Sequence, residues 1–165
     1  MDGQKLLKRD LFGEVVLKTS ATGRIVVRNT GAAPWWTRWI ARRLLQREAR
    51  ALAALDGMEG VPELISSDRH SLERSFLDGE PLYQARTGDA AWYRNAARLL
   101  RKLHRAGVCH NDLAKEPNLL VLRDGSPAFI DFQLAWYSRS RPKLFRVAAY
   151  EDLRHLLKHL SLIHI

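Results

Sequence analysis

The sequence predicts an α+β fold, with a small antiparallel sheet at the start and a mostly helical half after it. Two β-branched runs, Leu11 to Lys18 and Arg24 to Arg28, flank a short polar stretch near the N-terminus. Two later segments carry leucines at helical spacing, one from Asp89 and one over Leu153, Leu156, Leu157 and Leu160. Between them, Leu119 to Leu122 and Ala128 to Phe132 enclose Arg123-Asp124-Gly125-Ser126, a hairpin signal because Asp-Gly tolerates the positive φ values such turns require.

Taken in order, Thr19-Ser20-Ala21-Thr22-Gly23 reads as the turn of the first hairpin. Gly31-Ala32-Ala33-Pro34 breaks the strand pattern, and Pro34 can open a helix. Trp36, Trp39, Ile40, Leu44, Leu52 and Leu55 then recur at roughly helical spacing until Gly57 and Gly60. Short strands are expected around Glu63 to Ile65 and Leu72 to Leu77, before Asp78-Gly79. The helix from Asp89 places Trp92, Ala96, Leu99, Leu100 and Leu103 on one face, with Asp89 to cap its start and Gly107 to close its end. His104 and Arg105 sit at that end, where cations suit the helix dipole.

The 165 residues suit one domain, or two small lobes sharing a cleft. No apolar run reaches the roughly 18–20 residues that span a bilayer, and Met1 to Asp10 is too polar for a signal peptide. A single Cys109 excludes an internal disulfide and a cysteine-rich zinc site. These features point to a cytoplasmic enzyme, with the inner face of the membrane as an alternative station. The net charge of +9 attracts nucleotides, nucleic acid or anionic lipid without choosing among them.

The chemistry lies in His110-Asn111-Asp112-Leu113-Ala114-Lys115-Glu116-Pro117-Asn118 and, 13 residues after its Asn (131 − 118), Ile130-Asp131-Phe132. Two carboxylates and a carboxamide thus flank a short hairpin. Mg²⁺ prefers hard oxygen ligands, and one or two carboxylates plus substrate phosphates complete its shell. A further Asp beside them can orient an attacking hydroxyl.

His110-x-Asp112-Leu113 with Asn118 resembles the catalytic loop of the protein-kinase superfamily, and Ile130-Asp131-Phe132 resembles its metal-binding DFG segment. The resemblance implies Asp112 as catalytic aspartate, Asn118 and Asp131 as ligands of Mg²⁺ bridging the ATP phosphates, and His110 as a structural residue. It further implies that Lys115 reaches the γ-phosphate. Phe12-Gly13-Glu14-Val15 resembles the end of the glycine-rich loop, so Gly13 and Val15 would line the nucleotide. Val26-Val27-Arg28 stands where the family carries Val-Ala-x-Lys, and Glu48 matches the helix glutamate paired with that lysine. Phe76-Leu77-Asp78-Gly79-Glu80-Pro81-Leu82 resembles the hinge of aminoglycoside-phosphotransferase-like kinases, where the backbone around Ser75 to Leu77 faces adenine. Asp152 resembles the helix aspartate that braces the catalytic loop from below; an N-terminal helix acid is the other reading.

Several features depart from the common pattern. Arg28 replaces the lysine, and its planar fork differs from a point-like ammonium. The glycines before Gly13 are replaced by Arg9, Asp10 and Leu11. Asp112 to Asn118 spans six positions (118 − 112), one more than usual, so the loop must bulge near Lys115-Glu116-Pro117. Gln133 follows Phe132 in place of Gly, and only 21 residues (152 − 131) lead to Asp152. That economy resembles the small atypical kinases of the RIO and lipopolysaccharide-kinase type.

The expectation is therefore a bilobal kinase-like fold: a sheet-bearing N-lobe over 1–75, a partial helical C-lobe over 76–159, and a tail at 160–165. That tail, Leu160-Ser161-Leu162-Ile163-His164-Ile165, resembles a translated sequencing adapter, with native sequence ending near Lys158; a natural apolar terminus is the alternative. The expected activity is ATP- and Mg²⁺-dependent phosphoryl transfer to a hydroxyl, on protein Ser/Thr or on a lipopolysaccharide sugar. A pseudokinase scaffold and a basic binder of nucleic acid or membrane are the rivals. Trp35, Trp36 and Trp39 among Arg38, Arg42 and Arg43 can meet a membrane surface, or the indoles can pack inward above a solvated basic face.

Overall fold

The computed structural model describes residues 3–20, 23–85 and 89–163. Ala21 and Thr22 of the expected first turn, and His164 and Ile165 of the expected tail, lie outside the described residues. The architecture is α+β, as the sequence predicts. Strands β1 (Gly3–Asp10), β2 (Gly13–Ser20), β3 (Gly23–Asn29), β4 (Leu64–Ser67) and β5 (Ser71–Ser75) form one antiparallel sheet in the order β1-β2-β3-β5-β4. Helix α1 (Arg38–Ala54) packs against it through Ala41, Leu45, Glu48, Ala51 and Leu52.

Strand β1 is absent from the sequence reading, and Leu11-Phe12 forms the turn before β2 instead of opening a strand. The cause is its position at the sheet edge. Nearly all of β1 is exposed, so no apolar alternation marks it, and a register shift between Leu6 and Lys8 interrupts its pairing.

The rest is built from β6 (Gly79–Pro81), α2 (Leu82–Ala85), α3 (Ala90–Arg105), β7 (Val108–Cys109), β8 (Leu119–Leu122), β9 (Pro127–Phe129), β10 (Trp136–Tyr137) and α4 (Lys143–Ile163). Strands β6, β8 and β9 form a small antiparallel sheet, while β7 pairs with β10. Asp89 caps α3 as expected, its carboxylate accepting from Trp92 N at 2.7 Å. The predicted face of α3 is buried, and with Leu45 and Leu52 of α1, Phe129, Phe132 and Leu156 it forms one continuous apolar cluster. Each large side chain fully buried there contributes roughly 1.5–3 kcal/mol of transfer free energy.

Two packing expectations are corrected. Trp35, Trp36 and Trp39 stand 82%, 54% and 67% exposed: Trp35 and Trp36 lie in the turn before α1, and the buried phase of α1, set by Ala41, Leu45, Glu48 and Leu52, leaves Trp39 outside. On α4, Leu156 is fully buried but Leu157 is 44% exposed, so the leucine set does not share one inner face. Among the described residues no helix is long and apolar enough to cross a membrane.

Candidate active site

The β8–β9 hairpin turns at Asp124-Gly125, where Gly125 has φ +80° and Leu122 N donates to Ser126 O at 2.9 Å. Pairing of Leu119 with Phe129, and an Ile130 N to Asn118 O bond of 3.0 Å, bring Asn118 and Asp131 to the same end of it. Asp131 takes a left-handed backbone (φ +65°) ahead of a single 3₁₀ turn, Phe132–Leu134. A non-glycine residue in that region is uncommon, and such outliers concentrate at functional sites.

The loop from His110 to Asn118 lies beside this end. Its extra residue is absorbed by a 3₁₀ turn over Glu116–Asn118, with Pro117 inside it. Asn118 is thereby buried and aimed at Asp112, its Nδ2 donating to the Asp112 carbonyl at 2.9 Å and to Oδ2 at 3.0 Å. Lys115 Nζ lies 2.8 Å from the same Oδ2, and this bond pushes the Lys115 pKa up. Donation through Nδ2 leaves the Asn118 carboxamide oxygen as an acceptor. Asp112 Oδ1 likewise has no partner among the described residues.

His110 is fully buried beneath the loop and packs against Phe132, with ring centroids 4.6 Å apart. Its Nδ1 must accept, because Asp112 N can only donate to it (3.3 Å); its Nε2 then donates to Ile130 O at 3.0 Å. Both nitrogens are satisfied in the neutral form, and burial pushes the His110 pKa down.

Asp152 settles between the two readings given to it. It lies well inside α4, far from the helix N-terminus, and its oxygens accept from His110 N and Asn111 N, each at 2.7 Å. His104 Nε2 adds a third contact at 3.1 Å, a role that its place at a helix end did not reveal. His104, Cys109 and Asp152 present ligand atoms within 4.8 Å of one another. Both Asp152 oxygens already accept hydrogen bonds, however, and burial pushes the Cys109 thiol up to about 12 while it donates to Phe145 O. The trio is a brace rather than a metal cage.

Arg28 meets Glu48 through Nε at 3.0 Å and Asp131 through NH2 at 3.5 Å. Turned so that its oxygen faces the guanidinium, the Gln133 carboxamide also accepts from Arg28. Two departures from the family pattern, Arg28 and Gln133, therefore meet each other. Sequence reasoning missed Arg74, whose Nε lies 3.3 Å from the other Glu48 oxygen; burial pushes its pKa down. Period-two alternation with buried Leu72 was the available signal. Glu48 is completely buried, and these contacts are charge contacts off the hydrogen-bond line.

The remaining expected residues lie farther out. Val15 is buried opposite Arg28 in the β2–β3 register. Gly13 (φ +123°) needs its missing Cβ because the Asn29 carbonyl stands in its place, so sheet packing, not a phosphate, requires the glycine. Ser75 donates its N–H to Glu63 O at 2.9 Å, and its hydroxyl accepts from Glu63 N at 2.9 Å. Phe76 N donates to Arg24 O, leaving Leu77 as the hinge position whose N–H has no partner among the described residues. The Ser75 and Leu77 side chains line a cavity of about 470 Å³ with Gly60, Glu63 and Leu122, which excludes Asp112 and Asp131.

A model of the phosphotransferase enzyme family (APH) matches residues 35–138, which hold Glu48, Asp112, Asn118 and Asp131. The chain belongs to the phosphotransferase enzyme family. No curated protein matches it significantly. Among solved structures, this family member is similar to Rio2 kinase from Chaetomium thermophilum, with a TM-score of 0.73 and 18% identity over 97% of this chain and 56% of that one. The Rio2 kinase–ADP/Mg²⁺–phosphoaspartate complex from the same organism gives a TM-score of 0.72 at 18% identity, over 99% and 56% of the two chains. The fold is thus that of Rio2 kinase, and the chain spans 56% of the length of those Rio2 chains.

Proposed function

We propose that the chain transfers the γ-phosphoryl group of ATP to a hydroxyl, as a serine/threonine protein kinase of the atypical, RIO-like kind. The observation that carries this reading is the convergence of Asp112, Asn118 and Asp131 at one end of the β8–β9 hairpin, with Asn118 fixed by its own amide so that its oxygen stays available. Asn118 Oδ1 and the part-exposed Asp131 carboxylate are the hard oxygen donors that Mg²⁺ favours, and they would hold it. Bound there, the ion would neutralise charge on the phosphates.

The chain's own groups would do the rest. Asp112 Oδ1 would accept the proton-bearing acceptor hydroxyl, while Lys115 and Asn118 hold Oδ2 and fix the carboxylate's angle. Arg28, tied to Glu48 and Asp131, would align the phosphates, with Gly13 and Val15 above the nucleotide and Leu77 offering its backbone at the hinge. The lobes divide near Ser75-Phe76 in this reading.

A second acceptor class is favoured by one observation. The exposed indoles of Trp35, Trp36 and Trp39 beside Arg38, Arg42 and Arg43 suit a headgroup layer, and a lipid-linked sugar presents its hydroxyl there. Incubation of the 165-residue chain with γ-labelled Mg-ATP distinguishes the cases. Label on Ser or Thr of added protein supports the first acceptor class, and label on a lipid-linked glycan supports the second. Nucleotide binding without transfer to either would mark a pseudokinase.

A further inference from the structure

On the side of the molecule formed by α3 and α4, a cavity of about 590 Å³ is lined by Arg101, His104, Arg105, Ser140, Arg141, Phe145, Arg146 and Ala149. Arg101 and Arg105 are one helical turn apart on α3, and the cavity is completed by Arg141, just before α4, and Arg146 in its first turn. Among the described residues, no carboxylate lines it. Among the described residues, none of these four guanidinium groups makes an ion pair or side-chain hydrogen bond. Five other arginines are paired with carboxylates: Arg24 and Arg123 with Asp78, Arg28 and Arg74 with Glu48, Arg154 with Glu151.

Four exposed arginines around one cavity bring like charges together, and an anion seated among them would relieve their repulsion. A second observation points the same way. Arg141 has φ +45°, a left-handed backbone that arginine seldom adopts and that tends to persist at ligand clamps.

We propose that this cavity is a binding site for a small diphosphate-bearing ligand, separate from the phosphotransfer site. Guanidinium groups bind phosphate oxygens in parallel, bidentate pairs, so four arginines suit two phosphate groups. The volume falls within the roughly 300–1,000 Å³ of small-ligand sites. Ser140 adds a hydroxyl, and buried Phe145 closes the floor. Through His104 and Asp152 the site also touches the brace of the catalytic loop.

The test is calorimetric titration of the whole chain with inorganic pyrophosphate, at low ionic strength and with EDTA present to silence any metal-dependent binding at the cleft. The expected result is one saturable site, weakened at least tenfold in Arg141→Gln/Arg146→Gln and retained in Asp131→Ala and in Arg69→Gln, whose arginine lies on the distant β4–β5 turn. Arg101→Gln/Arg105→Gln should reproduce the loss, which guards against misfolding of either double variant. The proposal is overturned by binding that both double variants preserve, by equal weakening in Arg69→Gln, or by loss in Asp131→Ala. Absence of pyrophosphate binding overturns it too, including where anionic vesicles or an oligonucleotide bind instead.

Discussion

Glu48 is the residue on which the cleft is built, since it is the buried anion between two buried cations. Removing it strands Arg28 and Arg74 together in a desolvated layer. Glu48→Ala should therefore destabilise the fold by about 3–5 kcal/mol in urea denaturation, the range for leaving a buried charge unpaired. Arg28→Lys should be milder in stability yet harmful in turnover, because one ammonium cannot span Glu48, Asp131 and Gln133 at once. Cys109 makes a contrasting prediction. With its thiol pushed up to about 12, it should resist thiol reagents in native protein at pH 8 and react at once in denaturant. Labelling of the folded chain at the denatured rate would contradict that burial.

At the scale of elements, the His110–Asn118 loop is held by α4 as well as by its own side chains. Asp152→Ala would orphan the buried His110 amide, at about 1–3 kcal/mol for a buried donor left unpaired, and would also release the less buried Asn111 amide. A lowered Tm with kcat reduced more than nucleotide KM is the expected result; Asp152→Asn, retaining one acceptor, should recover part of both. Elements with local chemistry were legible in the sequence. The Asp124-Gly125 turn, the Asp89 cap and the buried stripe of α3 follow from short-range rules, and so does the order of Asp112, Asn118 and Asp131. Elements defined by neighbours were not. Edge strand β1 has no buried face to imprint a pattern, and Trp39 looked like core because helical spacing alone cannot give the phase of α1. Arg74 and His104 became site residues only when β5 met α1 and α3 met α4. The lengthened loop was readable, but its remedy, a 3₁₀ turn that returns Asn118 to Asp112, was not.

Across the whole molecule, the two halves are joined by charge as well as by the shared apolar cluster. Asp78 binds Arg24 of β3 at 2.9 Å and Arg123 of the β8–β9 turn at 2.7 Å. Both pairs are exposed, so Asp78→Asn should change stability by less than about 1 kcal/mol. Acid acts more strongly through His110. Its folded pKa lies below the ordinary value of 6.5, so the unfolded chain binds this proton more readily. Its contribution is therefore complete above about pH 6.5 and is lost as pH falls below it. Thermal melts from pH 7.5 to 5 should show a falling Tm, with a shallower slope in His110→Phe; an unchanged slope would assign the acid sensitivity to other groups. The central claim is that Asp112, Asn118 and Asp131 form one phosphotransfer centre. Its most direct test is the rate of Mg²⁺-dependent transfer from γ-labelled ATP in the parent chain, Asp112→Ala and Asp131→Ala, with folding checked by circular dichroism. Loss of about 10²–10⁴-fold in both folded variants is predicted, as for removal of a positioned acid–base group or charge stabiliser. Transfer at the parent rate in either variant would contradict it.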